Sequence, residues 1–262
     1  MLSKIQSHLP DHPWRNQILY FATIDSTNTH AKQLARQGAP EGTILVADHQ
    51  TGGRGRLGRS FSSPAGMGLY LSLILRPCCP PEELMHLTCA TGLAASDAVS
   101  DVTDRVPGIK WTNDLIWARR KLGGILTELS VDPATGLMEW AVVGIGINCC
   151  QKEQDFPPEI RHIAISLGLP PCSRPALAAA LIRRLYAMRQ GLFSEKHSIM
   201  AAFSQRCVTI GQDISILQGD TVRHATATGV NADGGLLVQY PDGIKDIITS
   251  GEVSIRGMYG YL

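Results

Sequence analysis

The stretch Gly53-Arg54-Gly55-Arg56-Leu57-Gly58-Arg59 places three guanidinium groups among three glycines. Glycine lets a backbone approach a ligand closely, and arginine presents a planar fork of N–H donors to oxyanions. The spacing also satisfies G-x-G-x-x-G, a dinucleotide-binding turn that needs a strand before it and a helix after it. The β-branched, apolar run at 43–50 meets the first condition. The second fails, because 59–68 is polar and turn-rich and 69–76 reads as another strand. The loop therefore joins two strands and offers no helix dipole to a pyrophosphate.

Three more segments carry groups that a bare scaffold does not require. Asp25-Ser26-Thr27-Asn28 lies at a strand-to-helix junction, where capping needs only Ser26. Gln50 leads into the basic loop. In 110–126, Lys121 begins a strand at a turn, and Gly123 and Gly124 mark a bulge or a close approach. In 142–150, Gly144 and Gly146 punctuate an apolar strand that ends at Asn148. Singly, each has a structural explanation: a cap, a solvated basic turn, a bulge, a strand bent for packing. Together they bring hydroxyls, amides, cations and bare backbone to strand ends, without a Ser–His–Asp triad or a paired acid and base. Such groups suit chemistry on phosphates and carboxylates, where positioning and charge neutralisation supply most of the catalysis.

The elements that must hold these groups follow from periodicity. Residues 18–24 read as a strand, followed by a helix over 25–38 with Ser26 as N-cap and Gly38 as stop. A long amphipathic helix is expected from Pro80, with acids in its first turn. Residues 108–148 read as strands joined by tight turns at 118–121 and 132–136, and 173–193 as a further helix. After Cys207 the texture becomes short strands with Gly and Asn-Asp turns, the pattern of a small β-barrel. The expected class is α+β: a mixed-sheet catalytic domain flanked by helices over 1–206, and a small SH3-like barrel over 207–262.

Composition narrows the rest. The 262 residues are 44% hydrophobic with a net charge of +1, which gives no global reason to expect nucleic acid or an anionic membrane. Seven cysteines without a C-x-x-C pair suit neither a disulfide framework nor a zinc site, and read as reduced thiols. The eight histidines lack H-x-x-x-H spacing. No secretory signal or membrane span is visible, so a cytoplasmic protein is expected.

With order and spacing taken together, the chain resembles the bacterial biotin–protein ligases, the biotin–[acetyl-CoA-carboxylase] ligase family. The matching segments are IDSTN at 24–28, GRGRLGR at 53–59, KWTNDL at 110–115, KLGGIL at 121–126 and GIGIN at 144–148. The resemblance implies that biotin and ATP form biotinyl-5′-AMP and that the biotinyl group passes to one lysine of a carboxylase's biotin carboxyl carrier domain. It implies biotin contacts from Ser26, Thr27, Asn28, Gln50, Arg54, Gly55, Arg56 and Lys121. Arg59, Phe61 and Asn148 would contact the nucleotide. Arg56, Lys121 and Asp114 would act in catalysis, the two cations at the biotin carboxylate and α-phosphate, Asp114 on the acceptor lysine. Mg2+ would accompany ATP, with no protein metal ligand assigned. Two residues depart from the family pattern: Thr112 stands where K-W-P-N-D has proline, and Phe61 where many members carry tryptophan. A lipoate or octanoyl ligase of the same fold lacks the G-R-G-R-x-G-R loop and the K-W-x-N-D segment. A biotin-sensing regulator without transfer activity would not need both Arg56 and Lys121. No specific DNA binding is expected, because the first strand begins near Ile18. The oligomeric state, a homodimer included, is left open.

Overall fold

In the computed structural model, which describes residues 1–218, 221–249 and 252–255, the first element is a short helix, α1 (Leu2–Ser7). Strand β1 (Ile18–Ile24) then crosses over through α2 (Thr27–Arg36) to a parallel neighbour, β2 (Ile44–Gln50). The remaining strands of this sheet pair antiparallel. They are β3 (Gly68–Leu75), β4 (Gly108–Lys110), β5 (Asp114–Trp117), β6 (Arg120–Val131) and β7 (Met138–Asn148). Their order, β1-β2-β3-β7-β6-β5-β4, makes one mixed seven-stranded sheet.

The two faces of this sheet are covered unequally. On one face, α3 (Leu87–Val102) and α4 (Arg174–Gly191) pack with α1 and α5 (Lys196–Arg206) over the main core. On the other, α2 alone covers Leu45, Ile74, Trp140 and Val142 through Ala31 and Ala35. Every residue of β3 is buried because both its faces are covered there. Past the N-terminus of α2, no α-helix among the described residues lies over the second face.

The C-terminal strands form a separate five-stranded antiparallel sheet. They are β8 (Asp213–Gln218), β9 (Thr221–Val230), β10 (Leu236–Gln239), β11 (Lys245–Ile248) and β12 (Glu252–Ile255), in the order β11-β10-β9-β8-β12. The segment entering it stays bonded to the first sheet. Val208 N–H donates to Ile109 O at 2.9 Å, and Trp111 N–H to Thr209 Oγ1 at 2.8 Å. Within the expected barrel, 219–220, 250–251 and 256–262 lie outside the described residues.

Several expectations need correction. The helix foreseen from Pro80 is a 3-10 turn, Pro81–Leu84, followed by α3, and α3 is buried on most sides rather than amphipathic. It lies between the sheet and α4 and α5, so its Ala, Gly, Ser and Cys residues meet neighbours all round. The turn foreseen at 118–121 is tighter, with Ala118 and Arg119 at φ 47° and 59° and Lys121 already within β6. Helices α1 and α5 carry too few buried residues, Ile5 in one and Met200 and Phe203 in the other, to have shown a periodic stripe. All seven cysteines are free.

His86, at the N-terminus of α3, is fully buried, with Nε2 2.7 Å from Leu192 O. Burial pushes its pKa below the ordinary value, as it does for His12, where Arg183 adds to the effect. The unfolded chain therefore takes up protons first as pH falls through about 6.5, and stability declines below that pH. Urea unfolding midpoints should fall between about pH 7.5 and about pH 5.5, with a shallower fall in His86→Gln.

Candidate functional site

The uncovered part of the second sheet face is the floor of a cavity. Side chains alternate along a strand, so Gly144 and Gly146 share the face that Trp140 and Val142 present to α2. A Cβ on Gly144 would lie 2.0 Å from Asn28 Oδ1, and one on Gly146 would lie 2.6 Å from Phe61 Cε1. A side chain at either position would therefore displace the group that now sits on the glycine.

The roof is the basic loop, folded as a narrow hairpin. Gly55 N–H donates to Arg59 O at 2.7 Å and Phe61 N–H to Gly53 O at 2.9 Å, with Arg54 bridged to Ser60. Leu57 and Gly58, at φ 54° and 75°, turn the tip, and the Leu57 side chain is exposed. A Cβ on Gly53 would meet Phe61 O at 2.4 Å, so that glycine sets the hairpin's width.

One end of the cavity is a neutral hydrogen-bonding network. Ser26 caps α2, its Oγ accepting from Thr29 N–H at 3.4 Å. Gln50 Oε1 accepts from both Thr27 N–H (2.9 Å) and Thr27 Oγ1 (3.0 Å), while its Nε2 donates to Ser63 Oγ (2.9 Å). Asn28 Nδ2 donates to Leu126 O (3.1 Å) and Glu128 Oε2 (3.0 Å), and its Oδ1 lies 2.6 Å from the hydroxyl of buried Ser72. Counting donors and lone pairs gives the capacity left for a ligand. Gln50 keeps one N–H, and Asn28 keeps one oxygen lone pair. A donor beside an acceptor complements a cis amide or a urea.

The other end is cationic. Arg54, Arg56, Arg59, Lys110 and Lys121 line the cavity, and Asp114 is the one carboxylate on its wall among the described residues. Arg56 Nη1 donates to Asn113 Oδ1 at 3.0 Å. Asn113 Nδ2 in turn donates to Asp114 Oδ1 (3.2 Å), which also receives Lys121 Nζ at 2.7 Å. A bulge between β5 and β6 sets that pairing. Leu115 sits opposite Gly123 but Ile116 sits opposite Lys121, leaving Leu122 unpaired.

Thus Ser26, Thr27, Asn28, Gln50, Arg54, Gly55, Arg56, Arg59, Phe61, Asp114 and Lys121 all line one cavity. Asn148 does not. Its Nδ2 donates to Ile165 O at 3.1 Å, and its Oδ1 accepts from Gln151 Nε2 at 3.2 Å. Ile165 N–H donates to Lys121 O and Lys121 N–H to Ile163 O, so the Asn148 side chain connects to the site through that segment.

Comparison with known proteins places this geometry. The model of the biotin/lipoate A/B protein ligase family matches residues 20–148, and that of the biotin protein ligase C terminal domain matches 209–256. The bifunctional ligase/repressor BirA of Bacillus subtilis is 31% identical over 252 residues, 95% of this chain and 77% of that protein. The chain belongs to the biotin protein ligases. The biotin–[acetyl-CoA-carboxylase] ligase of Mycobacterium tuberculosis is 30% identical over 246 residues, 92% of this ligase and 89% of its relative. The solved biotin protein ligase from Aquifex aeolicus, in complex with biotin and ATP, aligns with a TM-score of 0.74 at 30% identity. That alignment covers 91% of this ligase and 98% of that chain.

Sequence reasoning missed several wall residues of the ligase. Asn113 and Lys110 flank residues that were singled out, within a segment already quoted. Ser72 and Glu128 do not line the cavity but hold Asn28 from behind it; a lone hydroxyl in one apolar strand and an acid in another are the signals they give. Val253 reaches the cavity from β12, which no local pattern could reveal. Among the described residues no helix is long and apolar enough to cross a membrane.

Gly144→Ala should displace the Asn28 amide from its buried partners and lower stability by about 1–3 kcal/mol. Gly146→Ala should be milder, because the half-buried Phe61 ring can swing aside. Urea unfolding of the two variants checks the order.

Proposed function

We propose that this ligase activates biotin with ATP to biotinyl-5′-AMP, then transfers the biotinyl group to one lysine of a biotin carboxyl carrier domain. The observation that carries this reading is the cavity's two-ended chemistry: a urea-complementary network at one end and a cluster of cations at the other. Biotin has a ureido ring at one end and a carboxylate at the other.

Ser26, Thr27, Asn28 and Gln50 hold the ureido group in this reading. An unmatched buried polar group costs about 1–3 kcal/mol, so such partners select strongly for a urea. The backbone of Arg54 and Gly55 closes over the ligand. Arg56 and Lys121 neutralise the carboxylate and the α-phosphate as charge gathers there. Arg59 takes nucleotide phosphates, and Phe61 offers an aromatic face to the base. Asn148 supports the nucleotide side indirectly, by holding the Ile163–Ile165 backbone against Lys121. Asp114 holds the Lys121 ammonium and orients the acceptor lysine. That lysine, with an ordinary pKa of about 10.4, must lose a proton before it attacks.

Mg2+ enters with ATP, carried by phosphate oxygens and water, as is usual for this ion. Among the described residues no three His, Cys, Asp or Glu side chains are grouped to hold a metal. Residues 1–206 form the catalytic unit in this proposal, and 207–262 the accessory one.

The direct test is intact mass of a biotin carboxyl carrier domain incubated with the ligase, ATP, Mg2+ and either biotin or lipoate. One added biotinyl group is expected; lipoate addition alone would overturn the reading. Lys121→Ala should slow adenylate formation by about 100-fold or more while biotin still binds. A normal rate would leave Lys121 with a structural role in β6 alone. Arg56→Gly should release biotinyl-5′-AMP more than about 100-fold faster, because a buried charged contact is lost. Stopped-flow dissociation and labelling of bystander lysines would detect the leak.

A further inference from the structure

We propose that Glu128 is a positioning residue that sets substrate specificity, by fixing which end of the Asn28 amide faces the ligand. This rests on the biotin reading above.

An amide is nearly symmetric in shape but opposite in hydrogen-bonding sense at its two ends, so neighbours decide its orientation. Asn28 is almost fully buried on the cavity wall. Its Nδ2 faces Leu126 O at 3.1 Å and Glu128 Oε2 at 3.0 Å, a carbonyl and a carboxylate. A backbone carbonyl and a carboxylate are both acceptors only. Reversing the amide would set Oδ1 against both oxygens. On its other side Oδ1 faces the Ser72 hydroxyl at 2.6 Å, and Ser72 Oγ also lies 2.8 Å from Thr27 Oγ1, so its one proton is shared between two acceptors and fixes the amide less firmly than a carbonyl and a carboxylate do.

Glu128 is itself held. Its Oε1 pairs with Lys32 Nζ at 2.5 Å, and Lys32 lies on α2 one turn beyond Asn28. The glutamate thus clamps the first turns of α2 to β6 and keeps the carboxylate aimed at Nδ2. With both N–H groups of Asn28 occupied, what remains for a ligand is an acceptor. The wall then demands a ligand N–H at that point. A ureido N–H satisfies it, whereas an oxygen in the same ring position would face Oδ1 lone pair to lone pair.

The test uses the full-length ligase, with calorimetric titration of biotin and of the two cyclic carbamates in which either ureido N–H is replaced by oxygen. Glu128→Gln keeps shape and volume but lets an N–H face Asn28, so the amide can reverse. Biotin affinity is expected to fall about tenfold, the equivalent of one lost hydrogen bond. Discrimination against one of the two carbamates should narrow by a similar factor, about tenfold. A merely structural role would weaken all three ligands alike. In an Asn28→Ala background, Glu128→Gln should change biotin affinity by less than about twofold, since its effect passes through Asn28. Unchanged biotin affinity and selectivity in Glu128→Gln, with wild-type adenylate formation intact, would overturn this proposal alone. A wild-type chain that binds no biotin would overturn it together with the biotin reading.

Discussion

The cavity exists because β7 carries no side chains beneath it. Gly144 pairs with Ser72 on one side and Leu126 on the other, and Gly146 pairs with Tyr70 and Gly124. In a sheet every second residue faces the same way, so two glycines at i and i+2 clear one face over two rows. The α2 N-terminus settles into the first clearing through Asn28, and the basic hairpin settles into the second through Phe61. Elsewhere this face is filled by Trp140 and Val142 under α2. The site is thus a part of the sheet that the helical layer does not reach.

From that floor the two ends acquire opposite character. The first turn of α2 contributes short polar side chains, and neighbouring strands orient them through groups of fixed polarity. Thr27 N–H can only donate, which turns Gln50 Oε1 toward it; Leu126 O can only accept, which turns Asn28 Nδ2 toward it. The hairpin and the start of β6 contribute cations instead. Their partners come from one short segment: Asn113 holds Arg56 and Asp114 holds Lys121, and the two partners bond to each other. Close cations are tolerated because each is tied to a different oxygen.

The C-terminal sheet belongs to this arrangement. Trp111, on the cavity wall, is held by Thr209 Oγ1 at its backbone N–H and by Gly234 O at its indole Nε1 (2.8 Å each). Gly234 adopts φ +84°, and a Cβ there would come within 3.1 Å of Cys89 Sγ, so the β9–β10 turn fits against α3 only with glycine. Lys196 and Asp233 pair beside it at 2.5 Å. The segment carrying Asn113 and Asp114 is therefore braced from the second sheet.

Much of the site was legible in the sequence, because its chemistry sits in contiguous segments at strand ends. The hairpin's residues, the Ser26 cap with the Gly38 stop, and the bulge at Leu122, next to the glycine pair that flagged it, each follow from a local rule of backbone conformation or hydrogen bonding, and local rules can be read along a chain. The long helix from Pro80 misled because burial of α3 on most sides depends on what packs around it, not on its own period. Only the tertiary structure decided that Ser72 and Glu128 converge on Asn28, 44 and 100 residues away, and that Asn148 stands behind the wall rather than in it. Sequence determines which groups are available and how the backbone turns beside them. Which groups meet, and which end of an amide faces a ligand, depends on strand order and register, since hydrogen bonds act over about 3 Å regardless of distance along the chain.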